Sequence, residues 1–167
     1  NGVSCIGGLA AYTPPFAGSS GIAEVLYYVT ADGHDIKAVS VNDSGLERST
    51  DTLSGAAGIA VQGLAVNYNH LFWVSNSGLY DTSIGRVARK SVGQGATRDE
   101  KRFIYRVDQG TQGVAADSSH VYWRTDESIG RASVSSKVPE ATWLKAPGGS
   151  TFGGIAISNP PDRPPVV

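Results

Sequence analysis

The chain has 167 residues, 40% of them apolar, an ordinary share for a globular protein and enough for one domain or one array of repeats with a sizeable core. Its 14 Lys and Arg and 15 Asp and Glu are interspersed and leave a formal charge of -1, so no single-sign field is present to attract a phosphate backbone or an anionic membrane. No apolar run approaches the roughly 20 residues that cross a bilayer, and the N-terminus lacks the basic-then-apolar pattern of a signal peptide. A soluble protein is expected, with no nucleic-acid partner and no membrane insertion.

The first predicted strand is Gly8-Leu9-Ala10-Ala11-Tyr12, followed by a loop that carries Pro14, Pro15 and Gly18. A second strand is expected over residues 25–30, then a polar turn, Ala31-Asp32-Gly33-His34-Asp35, a third strand at residues 36–41 and an irregular outer strand at residues 47–53. The next unit contains Gly63-Leu64-Ala65-Val66-Asn67-Tyr68-Asn69-His70-Leu71-Phe72-Trp73-Val74-Ser75. That stretch aligns without a gap, at an offset of 50, on Gly113-Val114-Ala115-Ala116-Asp117-Ser118-Ser119-His120-Val121-Tyr122-Trp123-Arg124-Thr125. Matching third strands follow at Ile84-Gly85-Arg86-Val87-Ala88 and Ile129-Gly130-Arg131-Ala132-Ser133-Val134, with outer strands at residues 102–107 and 141–144. A fourth beginning, Gly154-Ile155-Ala156-Ile157-Ser158, precedes a proline-rich tail at 159–167.

These runs are rich in Val, Ile, Tyr, Trp and Thr, are divided by Gly, Asn, Asp and Ser, and sustain no helical period. Four strands recurring every 40 to 50 residues is the period of a propeller blade. The expected fold is therefore all-β: three four-stranded β-propeller blades (about 8–57, 58–108 and 109–153) plus one extra strand (154–158), within an array spanning 1–158.

Val121-Tyr122-Trp123-Arg124-Thr125-Asp126, with Ile129-Gly130-Arg131 behind and Gly113-Val114-Ala115-Ala116-Asp117 ahead, resembles the YWTD/NHL-like propeller repeat. It is similar to the YWTD blades of lipoprotein receptors and to the bacterial and fungal propellers that include virginiamycin B lyase. The second unit varies the theme as Phe72-Trp73-Val74-Ser75-Asn76 and the first as Tyr27-Tyr28-Val29-Thr30-Ala31. The resemblance implies a ring of six blades. Three blades would leave strand edges and apolar end faces exposed, so a homodimer completing a six-bladed ring is expected, with a fragment of a longer propeller as the alternative.

Tyr28, Trp73 and Trp123 supply one large ring per blade. As a ligand site they would stack on a sugar while Asn76, Asp126, Arg86 and Arg131 hydrogen-bond its hydroxyls; as architecture they would be the wedges between blades. Lys37 is read as the counterpart of Arg86 and Arg131, which would line a polar groove or sit at the sheet rim. His70 and His120 share one position in two units, which points to blade geometry over catalysis. His34, between Asp32 and Asp35, reads as a solvated turn ahead of a cation site. Trp143 and Phe152 match no repeated position and are candidates for a one-off contact surface, with a buried outer-strand tryptophan the favoured reading of Trp143, whereas the charged stretch Arg98-Asp99-Glu100-Lys101-Arg102 reads as a loop. Gly7-Gly8 and Gly153-Gly154 precede strands, the wrong context for cradling phosphate.

The function expected is that of a non-catalytic, lectin-like binding propeller that takes carbohydrate or glycoprotein at repeated sites between blades, with no cofactor. An extracellular protein-interaction propeller is the alternative, and a metal-dependent lyase or lactonase ranks third. A secreted, extracellular location is expected: Asn42-Asp43-Ser44 fits the glycosylation pattern, and a chain starting at Asn1 without Met reads as a processed or excised piece. The lone Cys5 forms no internal disulfide.

Overall fold

The computed structural model describes residues 8–13, 24–41, 44, 47–53, 60–76, 82–89, 102–108 and 110–157. Cys5, Gly7, the proline loop after Tyr12, Asn42 and Asp43, residues 98–101, Ser158 and the tail at 159–167 lie outside the described residues.

The chain is all-β, and three four-stranded antiparallel sheets follow one another along it. The first sheet is β1 (Leu9–Tyr12), β2 (Glu24–Val29), β3 (Ile36–Val41) and β4 (Glu47–Leu53), hydrogen-bonded in that order. The second is β5 (Ala60–Val66), β6 (His70–Asn76), β7 (Thr82–Ala88) and β8 (Ile104–Tyr105), and the third is β9 (Gly113–Ala116), β10 (His120–Arg124), β11 (Ser128–Ser133) and β12 (Pro139–Lys145), again in chain order. Short polar turns permit this meander because they satisfy their own backbone donors. Asn67 Oδ1 accepts from the N–H groups of Asn69 (3.0 Å) and His70 (2.8 Å), and Asp117 Oδ1 accepts from those of Ser119 and His120 (both 2.7 Å).

Burial periodicity tells which sheet is covered on both sides. In β11 buried and half-buried residues alternate, as in a strand with one covered face. In β6 the run Leu71-Phe72-Trp73-Val74-Ser75 is buried without interruption, so the second sheet is packed on both faces. Two cores result. Tyr27, Val29, Ile36 and Ala38 of the first sheet meet Val61, Leu64, Leu71, Trp73 and Val87 of the second. The opposite face of the second sheet and the strap after it, with Phe72, Val74, Ile84, Phe103 and Val107, meet Val114, Ala116, Val121, Trp123 and Ala132 of the third.

Two glycine arrangements make this packing possible. Trp73 lies directly across from Gly85 and Trp123 from Gly130, and each indole covers the bare Cα: a Cβ would stand 2.0 Å from Trp73 Cε2 at Gly85 and 2.4 Å from Trp123 Cε2 at Gly130. At the inner strands the sheets approach through glycine as well. A Cβ on Gly8 would lie 2.9 Å from Leu64 Cγ, and one on Gly63 would lie 3.5 Å from Gly113 Cα.

Three details differ from the sequence reading. The outer strand expected at 102–107 shrinks to Ile104–Tyr105, because Arg106 takes a left-handed backbone conformation (φ 56°) and turns the chain away. Lys37 pairs with Tyr28 as Gly85 pairs with Trp73, so Ala38, not Lys37, holds the place of Arg86. The extra strand does not form: residues 154–157 join no ladder, since no second strand stands beside them among the described residues.

Candidate functional site

The tryptophans expected to stack on a ligand are 1% exposed and lie between sheets, where no sugar ring can reach them. Both are packing groups, each covered by the sheet that precedes its own. Arg86 is likewise engaged, donating from Nη1 to the Val134 carbonyl of the third sheet with its guanidinium 3.9 Å above the Phe103 ring. Asn76 ends β6, half-buried across from Ala60 and Thr82. Tyr28 is half-buried on the outward face of the first sheet, across from Leu9 and Lys37. The seven residues therefore do not assemble into repeated pockets between sheets.

Arg131 and Asp126 stand in more open surroundings. Arg131 grips Glu140 with two bonds, Nε to Oε2 and Nη2 to Oε1, both 3.2 Å, and lies 4.9 Å from the Trp143 ring. Trp143, expected to be a buried outer-strand residue, is instead 45% exposed and tilts against Tyr122 at 5.5 Å. Asp126, in the β10–β11 turn, borders a cleft of about 930 Å³. Asp108, Glu127 and Lys145 line it with Thr125, Ser128 and the turn at residues 147–151.

The cleft is built from elements far apart in sequence. Pro147 to Ser150 makes a tight turn, with Ser150 N–H on the Pro147 carbonyl (2.9 Å) and Gly149 at φ 79°, a conformation that favours glycine. Arg124, 9% exposed, ties the next residues down: Nη1 donates to the Phe152 carbonyl (2.8 Å) and lies 3.4 Å from Asp126 Oδ1, while Nη2 donates to Gln112 Oε1 (3.0 Å). Phe152 N–H in turn donates to the Asp126 carbonyl (2.9 Å). One wall is thus fixed by a buried guanidinium, and three carboxylates and one ammonium line the opening. Such a surface offers acceptors to the hydroxyls of a polyhydroxylated ligand. Pro147-Gly148-Gly149 carries a turn signal that the sequence reading passed over; the gathering of Asp108, Glu127 and Lys145 has no signal in the sequence.

The histidines serve turns. Ser119 Oγ lies 2.9 Å from both Asp117 Oδ1 and His120 Nδ1, so serine sits between the acid and the imidazole. A nucleophilic triad needs imidazole in the middle. Burial disfavours the Asp117 anion, but the donors from Ser119, His120 and Tyr122 outweigh that and hold its carboxyl below the usual range. Burial, with the bond to Asp117, pushes the Tyr122 phenol up. Near His34, Asp32 closes its own turn, accepting from Thr30 Oγ1 (2.6 Å) and His34 N–H (3.1 Å). Among the described residues, no three His, Cys, Asp or Glu side chains come together as a metal site.

Compared with known families and curated proteins, the chain matches no family model and no curated sequence.

Proposed function

We propose that the protein is a secreted, non-catalytic binding protein of the YWTD/NHL-like propeller kind, whose three sheets are blades that a second copy extends to six, and that it takes carbohydrate in the cleft beside Asp126. The observation that carries the ligand class is the lining of that cleft. Exposed carboxylates of Asp126 and Glu127, the Lys145 ammonium and threonine and serine hydroxyls suit vicinal hydroxyl groups, which both donate and accept. The stacked order of the sheets and the close inner-strand approach at Gly63 and Gly113 support the propeller. Such a wide polar cleft holds a single sugar weakly, and two equivalent clefts on one assembly would raise the affinity through avidity.

A glycan array with a haemagglutination assay tests the reading. Binding is expected, and Asp126→Asn is expected to weaken it about tenfold, the loss of one charge-assisted hydrogen bond. A silent array together with a protein recovered by pull-down would replace this reading with the protein-interaction one. Bound metal together with turnover of a lactone would replace it with the enzyme.

A further inference from the structure

Residues 154–157 have a place in the fold without a partner in it. Gly8 stands just before β1, Gly63 lies within β5 and Gly113 begins β9, and each abuts the inner segment that follows. Gly8 meets Leu64, Gly63 meets Gly113, and a Cβ on Gly113 would lie 3.4 Å from Ile155 Cγ2. Ile155 therefore stands beside Gly113 as Leu64 stands beside Gly8. The first three inner strands are paired to a second strand, whereas 154–157 join no ladder.

The neighbouring surface is uncovered in the matching way. On the second sheet Phe72, Ile84, Arg86 and Phe103 form a face that the third sheet covers. On the third sheet the same register positions hold Tyr122, Ile129 and Arg131, with Trp143 over the arginine, and this face remains half-exposed. An inner segment that joins no ladder among the described residues and an open sheet face both call for a second, third and fourth strand.

We propose that a second copy of the chain supplies them: β2, β3 and β4 of the partner add to residues 154–157, which take the place of the partner's own β1. The proposal rests on the propeller reading above. Three observations select this occupant. Gly154-Ile155-Ala156-Ile157 reproduces Gly8-Leu9-Ala10-Ala11, so by the register of β1 on β2, Ile155 would face Tyr28 and Ile157 would face Leu26. The displaced strand is only four residues long, its Leu9 is 70% exposed, and β-branched isoleucines favour a strand more than Leu9 and Ala11 do. The outward face of the first sheet, with Leu26, Tyr28 and Val39 half-buried, carries the cation Lys37, and the third sheet and its β10–β11 turn carry Asp126, Glu127 and Glu140, a complementary charge. Applied reciprocally about a two-fold axis, the exchange closes six sheets and leaves neither end face open.

The test uses the full chain. Light scattering across a concentration series is expected to show a reversible dimer. Gly8 O accepts from Val29 N–H, which puts Ala10, and by analogy Ala156, on the hydrogen-bonding side of its strand. Ala156→Pro is then expected to weaken dimerisation roughly tenfold or more, since proline cannot donate to the ladder. Ala10→Pro is expected to strengthen it by removing the internal competitor. On a Cys5→Ser background, Ile155→Cys mixed with Tyr28→Cys is expected to give an intermolecular disulfide, the pairing being a closely spaced, non-hydrogen-bonded one. A monomer at all concentrations, a dimer indifferent to Ala156→Pro, or no cross-link would overturn the exchange. Glycan binding measured on the same samples keeps the two readings apart: a monomer that still binds sugar overturns the assembly and leaves the carbohydrate reading standing.

Discussion

Asp117 and Asn67 do the same work with different charge. Each accepts two backbone N–H groups at the entry to a central strand, and Asn67 Nδ2 also reaches across to the Asp117 carbonyl (2.7 Å), joining the second sheet to the third. Only Asp117 titrates. Its carboxyl is held below its ordinary value in the folded chain, so its stabilisation is complete above the unfolded pKa and disappears as pH falls through the folded one. Stability is therefore expected to drop below about pH 4. Asp117→Asn should cost less than about 1 kcal/mol at neutral pH, because asparagine already serves this turn at position 67, and should flatten the acid limb. Denaturant titrations at pH 7 and pH 3 check both expectations. Arg86 and Arg131 are a second pair set apart by surroundings: the same register position is a clamp when a sheet covers it and an exposed ion pair when none does.

Within one sheet, the tryptophan-over-glycine pair is the tightest device. Gly85→Ala puts a methyl 2.0 Å from an indole carbon that is itself packed against the first sheet, so the ring must move. Destabilisation of about 3 kcal/mol is expected, as for other overpacked cores. Gly148→Ala, with nothing within 4 Å, should stay within about 0.5 kcal/mol, and thermal melts of the two variants separate them. Strand positions were largely legible because apolar residues and turn residues alternate at short range: β3 and β4 form over the expected residues. The outer strand of the second sheet was not, because Phe103, Ile104 and Tyr105 continue a strand-like pattern while the turn at Arg106 depends on its left-handed backbone. Of the cleft lining, only Asp126 was legible in the sequence. Asp108, Lys145 and the 147–151 turn meet through sheet geometry, and Trp73 is buried against the sheet before it while Trp143 lies on a sheet that no other follows among the described residues.

Stability along the whole chain follows from coverage. The second sheet is sandwiched and the other two are each packed on one face by a neighbouring sheet, so in dilute solution the amides of β6 and β7 should exchange most slowly, ahead of those of β2, β3, β10 and β11. Hydrogen exchange followed by mass spectrometry measures this directly, and equal protection of all three sheets would contradict it. The glycines of the inner strands carry one more consequence. With hydrogen in place of a side chain at Gly8, Gly63 and Gly113, and indoles placed farther out at Trp73 and Trp123, each sheet is a slice that narrows toward one edge. In any ring such slices build, the narrow edge sets the angle between neighbours, and that angle sets how many fit around the axis. A bulkier residue at the narrow edge would open the hub and change the count.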